Sequence, residues 1–567
     1  MNEKTTSSAP VTERRTALAF AAVMILAGFL LVFRLGERPL RNPDEGRYAQ
    51  IAREMLQSGD FVEPRLYGLD YLRKPPLFYW LVAGSFRIFG FREWAARLVP
   101  ALAGWLGVLV VYLFARRTFG RDTALFSALL ISTNFWYVQT ARYLVIDAVF
   151  SFWVVVSLFA FYLALREESG KNAFRALFYL GLGLAFLAKG PVALALTGSA
   201  LLAYAAVTRS FRSVGAEVLR GARWGALLFM AVTLPWFLAI VRREPEFFAQ
   251  FLWHEHVKRF VSADFEHQQP WFYYPLALTA MLLPWIFFVR PLRRAWGALR
   301  ARPSGPGLYL LTVSVAIVAF YSLSRSKMPT YILPCLPMLA ILIAHGWQQW
   351  IDSKPAFGRP EQIAAGLMAL IGIGGIVGVP IYLHTRPNRY PPEVELQLQL
   401  LGAVVLVGAV VAARSIRRGQ AKKLFYSVAA LMGVVSLVFA LPMETMNPWY
   451  STKAFADELK HRLMERDEVF IFDHPGPFYD FAFYLGRPVK VVGLEGEFEG
   501  QTGDEHEIRN ASVSREQFDR YLREGRPVYC LIRKSDFEAF DPVLRAGVQV
   551  LKQDSRKVLF ASGTQNP

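Results

Sequence analysis

The sequence predicts a multi-span α-helical membrane protein that ends in a small α/β domain. Three observations carry this expectation. Apolar residues gather into runs of about 20, the length that crosses a bilayer as helix. Basic residues sit between those runs rather than in one contiguous block. Beyond residue 445 the pattern changes to short β-like runs separated by helix-like stretches.

Composition agrees. Of 567 residues, 54% are hydrophobic, above the roughly 45–50% of soluble chains. The net charge of +18 raises nucleic-acid binding, but the dispersion of the cations excludes it. Cys335 and Cys530 lie far apart and imply no disulfide framework. Residues 1–15 read as a polar, unstructured cytoplasmic tail. The apolar run 16–35 lacks a small-residue cleavage site and reads as a retained signal-anchor. Roughly thirteen spans are expected, centred near residues 25, 104, 130, 155, 182, 200, 232, 281, 315, 339, 372, 405 and 432. Alternate loops are rich in arginine and lysine, such as Arg116-Arg117 and Arg414 with Lys422-Lys423, which assigns them to the cytoplasm. The expected organisation is therefore a spanning domain over 16–444, with periplasmic loops 36–92 and 242–274. A periplasmic α/β domain over 445–567 follows. Its expected strands are Val469–Phe472, Pro488–Val492, Pro527–Ile532 and Val548–Leu551, with a helix over Ala454–Glu465. It carries no phosphate-binding glycine motif and reads as a lid or packing domain without catalytic residues.

The most informative stretch is 42–80, which is dense with charge yet follows a spanning segment. Asn42 reads as a helix N-cap and Pro43 as the first helical residue, with Asp44 and Glu45 in the first turn. Unpaired N–H groups and the helix dipole favour negative charge there. At about 100° per residue, Asp44, Arg47, Tyr48, Ile51 and Met55 share one face. A broken segment then leads to Tyr71, Arg73 and Lys74, and Pro75-Pro76 keeps that chain from being helical. An ordinary amphipathic loop with solvated charges would share this pattern.

The same topology places further polar segments on the outer side. They contain Arg142, Tyr143 and Asp147; Lys189 in an Ala-Lys-Gly-Pro turn; the 242–274 loop; and Arg325, Lys327 and Tyr331. Acids, cations and aromatics on one membrane face suit an anionic lipid headgroup. Each has a plainer alternative. Asp147 would be a solvated helix end, Lys189 would snorkel, and Arg325 and Lys327 would anchor anionic lipid. His254, His256 and His267 raise a zinc site, but their spacing fits no strong pattern.

Five stretches resemble one family: PDEGRYAQIAREML, YLRKPPLFYWL, AKGP, WHEHVKRF with HQQPWFYYP, and SKMPTYILP. They look like those of the bacterial aminoarabinose transferases, which add 4-amino-4-deoxy-L-arabinose to lipid A. These are class C glycosyltransferases, related to protein O-mannosyltransferases. The resemblance implies an inner-membrane enzyme that takes its sugar from undecaprenyl phosphate at the periplasmic face. It implies catalytic carboxylates at Asp44, Glu45 and Asp147, with Asp44 leading. It implies donor-phosphate contacts from Arg47, Lys74, Tyr331 and Arg259, in a cavity lined by Tyr48, Tyr71, Arg73 and Lys189. The family typically has Glu where this chain has Arg73, and that Glu is associated with a metal site. A cation there would repel a divalent ion, so no cofactor is expected to be required, and the sugar or acceptor is open to change.

The mechanism expected from these parts is electrostatic stabilisation of a departing lipid phosphate by Arg47 and Lys74. Asp44 would orient the acceptor or, for a hydroxyl acceptor, serve as general base. The alternatives are an enzyme that glycosylates Ser or Thr side chains, and a lipid-linked sugar transporter. The transporter would show repeat symmetry and ionisable residues at the membrane midplane.

Overall fold

The structure, a computed structural model, describes residues 9–563 except 168, 246, 248–250, 252–267, 303, 386–389, 473–475, 494–507 and 509. The chain forms two compact units. One comprises residues up to Leu35 and Arg97–Pro442, the other Gly36–Ala96 and Met443–Pro567.

The first unit is helical. Among the described residues, eight helical stretches are long and apolar enough to cross a membrane: Glu13–Val32, Glu93–Thr118, Ile146–Arg166, Phe211–Arg243, Pro306–Leu323, Arg359–His384, Pro392–Arg417 and Ala421–Tyr450. The other five expected centres fall on Arg121–Thr133, Lys171–Lys189, Val192–Thr208, Tyr273–Met281 and Cys335–Asp352. These are helices, but they are shorter or less apolar. The first helix begins at Ala9, so part of the expected polar tail is helical. The turn between 182 and 200 is as tight as its sequence suggests. Lys189 ends one helix, Gly190 follows at φ 78°, and Val192 begins the next. Glycine tolerates that positive φ, which a Cβ would strain.

Two buried arginines finish the first helix. Arg142 donates to the carbonyls of Leu30 (2.5 Å) and Phe33 (2.6 Å), and Arg97 to that of Leu35 (2.9 Å). The last carbonyls of a helix have no partner within it, and charged donors fill that need. Arg142 is thus a structural cap and not a headgroup ligand.

In the second unit the C-terminal segment builds a six-stranded mixed sheet. Its order is Ser512–Val513, Lys490–Val492, Glu468–Phe472, Val528–Arg533, Lys557–Ser562, Gln549–Gln553. The first four are mutually parallel, and Lys557–Ser562 runs antiparallel to both of its neighbours. All four expected strands exist. Phe470, Phe472, Val492, Phe518, Cys530, Ile532 and Phe560 form the core on one side, while Val469, Ile471 and Leu531 are buried on the other. A sheet covered on both faces explains the unbroken apolar runs. The expected helix is present as Lys453–Lys460. The 36–92 loop, grouped above with the spanning domain, belongs by its contacts to this unit.

Candidate active site

The second unit carries the charged stretch. The Asp44–Ser58 helix begins one residue later than Asn42 would set it. Pro43 is its N-cap residue and no side chain caps it. Asn42 is engaged elsewhere, with its amide donating to the Asp480 carboxylate and, at 2.8 Å, to the carbonyl of Pro477. Asp44 and Arg47 do share a face, bridged at 2.5 Å and still partly exposed. The Arg47 guanidinium lies 5.3 Å from the Tyr48 ring and 5.9 Å from that of Tyr71. Arg73 lies over the same Tyr71 ring at 5.8 Å, and Lys74 follows, its ammonium 3.0 Å from the Arg73 carbonyl. Aromatic faces hold guanidinium groups while leaving their edges free for an oxyanion. Asp44, Arg47, Tyr48, Tyr71 and Arg73 are therefore one cluster, with Lys74 at its end.

Glu45 is not part of it. Its fully buried carboxylate accepts from the Arg41 N–H at 2.9 Å and from Arg38 at 3.3 Å. It folds the approach to the helix back on itself, a structural role that replaces the catalytic one expected from sequence.

What aims Tyr71 is a hairpin, where the sequence pattern predicts only a broken segment. Strands Arg65–Leu66 and Leu69–Asp70 pair antiparallel around Tyr67 (φ 60°) and Gly68 (φ 76°). A two-residue hairpin turn with both residues at positive φ has the backbone signs of type I′. Glu54 holds it: its carboxylate accepts from the N–H groups of Tyr67 (2.8 Å) and Gly68 (3.0 Å) and from Gln50 (2.6 Å). Burial pushes this carboxyl above its ordinary range, and the same donors pull it back. The proton therefore binds the folded chain more tightly than the unfolded one. Glu54's contribution to stability is greatest below the ordinary carboxyl pKa and declines as pH rises through the raised value. Glu54→Gln is expected to flatten that slope in thermal unfolding measured across pH. Glu54→Ala is expected to cost about 2–3 kcal/mol and to open the hairpin to protease.

The first unit holds the other predicted residues. Asp147 lies in the first turn of Ile146–Arg166 and Lys189 in the last turn of Lys171–Lys189, where the helix dipoles favour each charge. They form a buried ion pair, and the Thr330 hydroxyl donates to Asp147 at 2.8 Å. The Lys189 ammonium sits 4.2 Å over the Tyr331 ring. Asp147 is therefore no solvated end, and Lys189 does not snorkel. Lys327 is buried and donates to the carbonyls of Gln269 (2.9 Å) and Ser324, so it is not a lipid anchor either. Arg259, His254, His256 and His267 lie outside the described residues. Among the described ones no group of three metal-ligating side chains could hold an ion.

The comparisons with known proteins bear on this arrangement. Residues 16–251 match the family described as dolichyl-phosphate-mannose-protein mannosyltransferase. An undecaprenyl phosphate-α-4-amino-4-deoxy-L-arabinose arabinosyl transferase of Pseudomonas fluorescens is 34% identical over 506 residues, covering 87% of this chain and 83% of its own. Its counterpart in Pseudomonas aeruginosa is 35% identical over 399 residues, 69% of this chain and 70% of its own. The crystal structure of ArnT from Cupriavidus metallidurans, bound to undecaprenyl phosphate, superposes with a TM-score of 0.83 at 27% identity, covering 96% of this chain and 97% of that one. The archaeal oligosaccharyltransferase AglB from Archaeoglobus fulgidus shares the fold, with a TM-score of 0.52 at 14% identity over 92% of this chain and 70% of its own.

A helical membrane unit and an α/β unit, with paired acids and cations at helix ends, define a multi-pass glycosyltransferase of class C. The chain belongs to the family of undecaprenyl phosphate-aminoarabinose arabinosyl transferases.

Proposed function

We propose that this enzyme moves 4-amino-4-deoxy-L-arabinose, or a closely related sugar, from undecaprenyl phosphate to a phosphate of lipid A. It would do so at the periplasmic face of the inner membrane. The observation that carries this is the Arg47 cluster: a guanidinium bridged to Asp44, backed by tyrosines and followed by Arg73 and Lys74. Such a site suits a lipid phosphate that gains charge as the bond to the sugar breaks.

In this reading Arg47 and Lys74 neutralise the leaving phosphate, which is electrostatic stabilisation of the transition state. Tyr48 and Tyr71 keep the guanidinium oriented. The attacking lipid A phosphate is already anionic and needs no base, so Asp44 orients the acceptor or stabilises positive charge on the sugar. If the acceptor is a hydroxyl, Asp44 takes its proton. In the other unit, Asp147 would act as a carboxylate held by Lys189, beside the Tyr331 ring. The C-terminal sheet domain would face the periplasm.

Mass spectrometry of lipid A and of periplasmic proteins, from cells with and without the gene, tests this reading. The sugar should leave lipid A when the gene is lost. Unchanged lipid A with underglycosylated proteins would favour Ser/Thr transfer instead. The charge of Arg73 argues against a metal in the donor site. EDTA is therefore expected to leave transfer by the purified enzyme unchanged, and a loss that zinc restores would contradict this.

A further inference from the structure

The C-terminal domain carries no catalytic motif, yet one short piece of it, residues 476–486, is bonded to the charged stretch at nearly every turn. The Tyr484 hydroxyl accepts from the N–H of Leu40 at 2.6 Å. Asn42 and Asp480 clasp each other, the Asn42 amide donating to the carboxylate and its oxygen accepting the Asp480 N–H at 3.0 Å. Arg53 donates to the carbonyl of Phe483, and the Tyr67 hydroxyl to that of Phe478 at 2.9 Å. These bonds touch the chain before the Asp44–Ser58 helix, the helix itself and the hairpin after it.

The Asp480 carboxylate is fully buried and saturated. Besides Asn42 it accepts from the Ser451 hydroxyl (2.5 Å), the Thr452 N–H (2.9 Å) and the Thr452 hydroxyl (2.7 Å). A group taken this far from water costs free energy unless its bonds are made. The helix also approaches too closely for a side chain. A Cβ on Gly46 would fall 2.3 Å from the Asn42 side-chain oxygen and 2.6 Å from the Asp480 nitrogen. Glycine at this position lets the first turn of the helix sit on residue 480. Next to that contact, the buried Tyr479 ring lies 5.8 Å from the Arg47 guanidinium, a third tyrosine beside it with Tyr48 and Tyr71.

The geometry points to the C-terminal domain as part of the donor site: Asp480 sets the first turn that carries Asp44 and Arg47, and Tyr479 holds the Arg47 guanidinium toward the lipid phosphate. Both are positioning residues. This rests on the reading that Arg47 binds the donor phosphate.

The test is steady-state transfer by the purified full chain in lipid nanodiscs, with undecaprenyl-phosphate-linked aminoarabinose as the varied substrate. Tyr479→Leu should raise the KM for donor by about five-fold or more, the size expected for a lost cation–π contact. Tyr479→Phe, which keeps the ring, should return KM to within about two-fold of wild type. Asn42→Ala, which breaks the clasp from the other side, should raise donor KM as well. A merely structural role would lower kcat, as folded protein is lost, and leave KM alone. That outcome, or an unchanged KM in both Tyr479→Leu and Asn42→Ala, overturns the proposal. Arg47→Ala is run beside them. If it raises donor KM while the other two do not, the positioning role fails and the phosphate reading stands. If Arg47→Ala leaves KM unchanged, the phosphate reading fails and this proposal falls with it.

Discussion

Asp44→Asn is expected to yield a protein that inserts and folds as the wild type does but transfers sugar about a hundred-fold more slowly, or worse. The substitution keeps the volume of the side chain and removes its charge. Asp44 stands in the first turn of its helix, with its carboxylate bridged to Arg47. An amide can still touch Arg47, so the helix has little reason to unfold. What is lost is the fixed negative charge that the proposed mechanism places beside the reacting sugar. Transfer rates from donor to lipid A, with membrane insertion checked by fractionation, decide the matter. Wild-type turnover would remove Asp44 from the mechanism. A proportional loss of inserted protein and activity would reduce it to a folding residue.

The second large effect concerns Asp147 and Lys189. Lys189→Ala leaves a carboxylate that is only 4% exposed, with the Thr330 hydroxyl as its remaining side-chain partner among the described residues. Removing one member of a buried ion pair costs about 3–5 kcal/mol, while replacing both by apolar groups is often neutral. The double variant Asp147→Leu, Lys189→Met should therefore recover most of the thermal stability lost in Lys189→Ala. Its activity should not recover, because the second carboxylate is gone. Recovery of both would make the pair purely structural.

The parts of the fold that rest on local pattern were legible. Long apolar runs became helices, and the strand around Val469–Phe472 was plain because both faces of its sheet are buried. Lys557–Ser562 is not among the expected strands although it is six residues long, and Ser512–Val513 is too short to give any periodicity. The expected placement of Asp44 and Arg47 on one helix face is also present, since it depends on spacing alone.

The errors share a different cause. Asn42 has the chemistry of an N-cap, but its partner is Asp480, 438 residues away, and no local rule weighs that competition. Glu45 sits beside Asp44 in sequence, yet one step of 100° turns it toward Arg38 and Arg41. Arg142 looked like a headgroup ligand because arginine serves both anions and helix ends. The Tyr67-Gly68 turn was legible only in part. Glycine gave the positive φ a candidate, but tyrosine at φ 60° is tolerated because Glu54 accepts both N–H groups.

In the proposed function, cations of the 42–80 stretch grip the departing lipid phosphate. The most direct measurement is binding of undecaprenyl phosphate itself to wild type and to Lys74→Ala in nanodiscs, followed by native mass spectrometry. Binding to wild type should be saturable and should weaken about ten-fold or more without Lys74, as loss of a charged phosphate contact should. Equal affinity in the two proteins would contradict it.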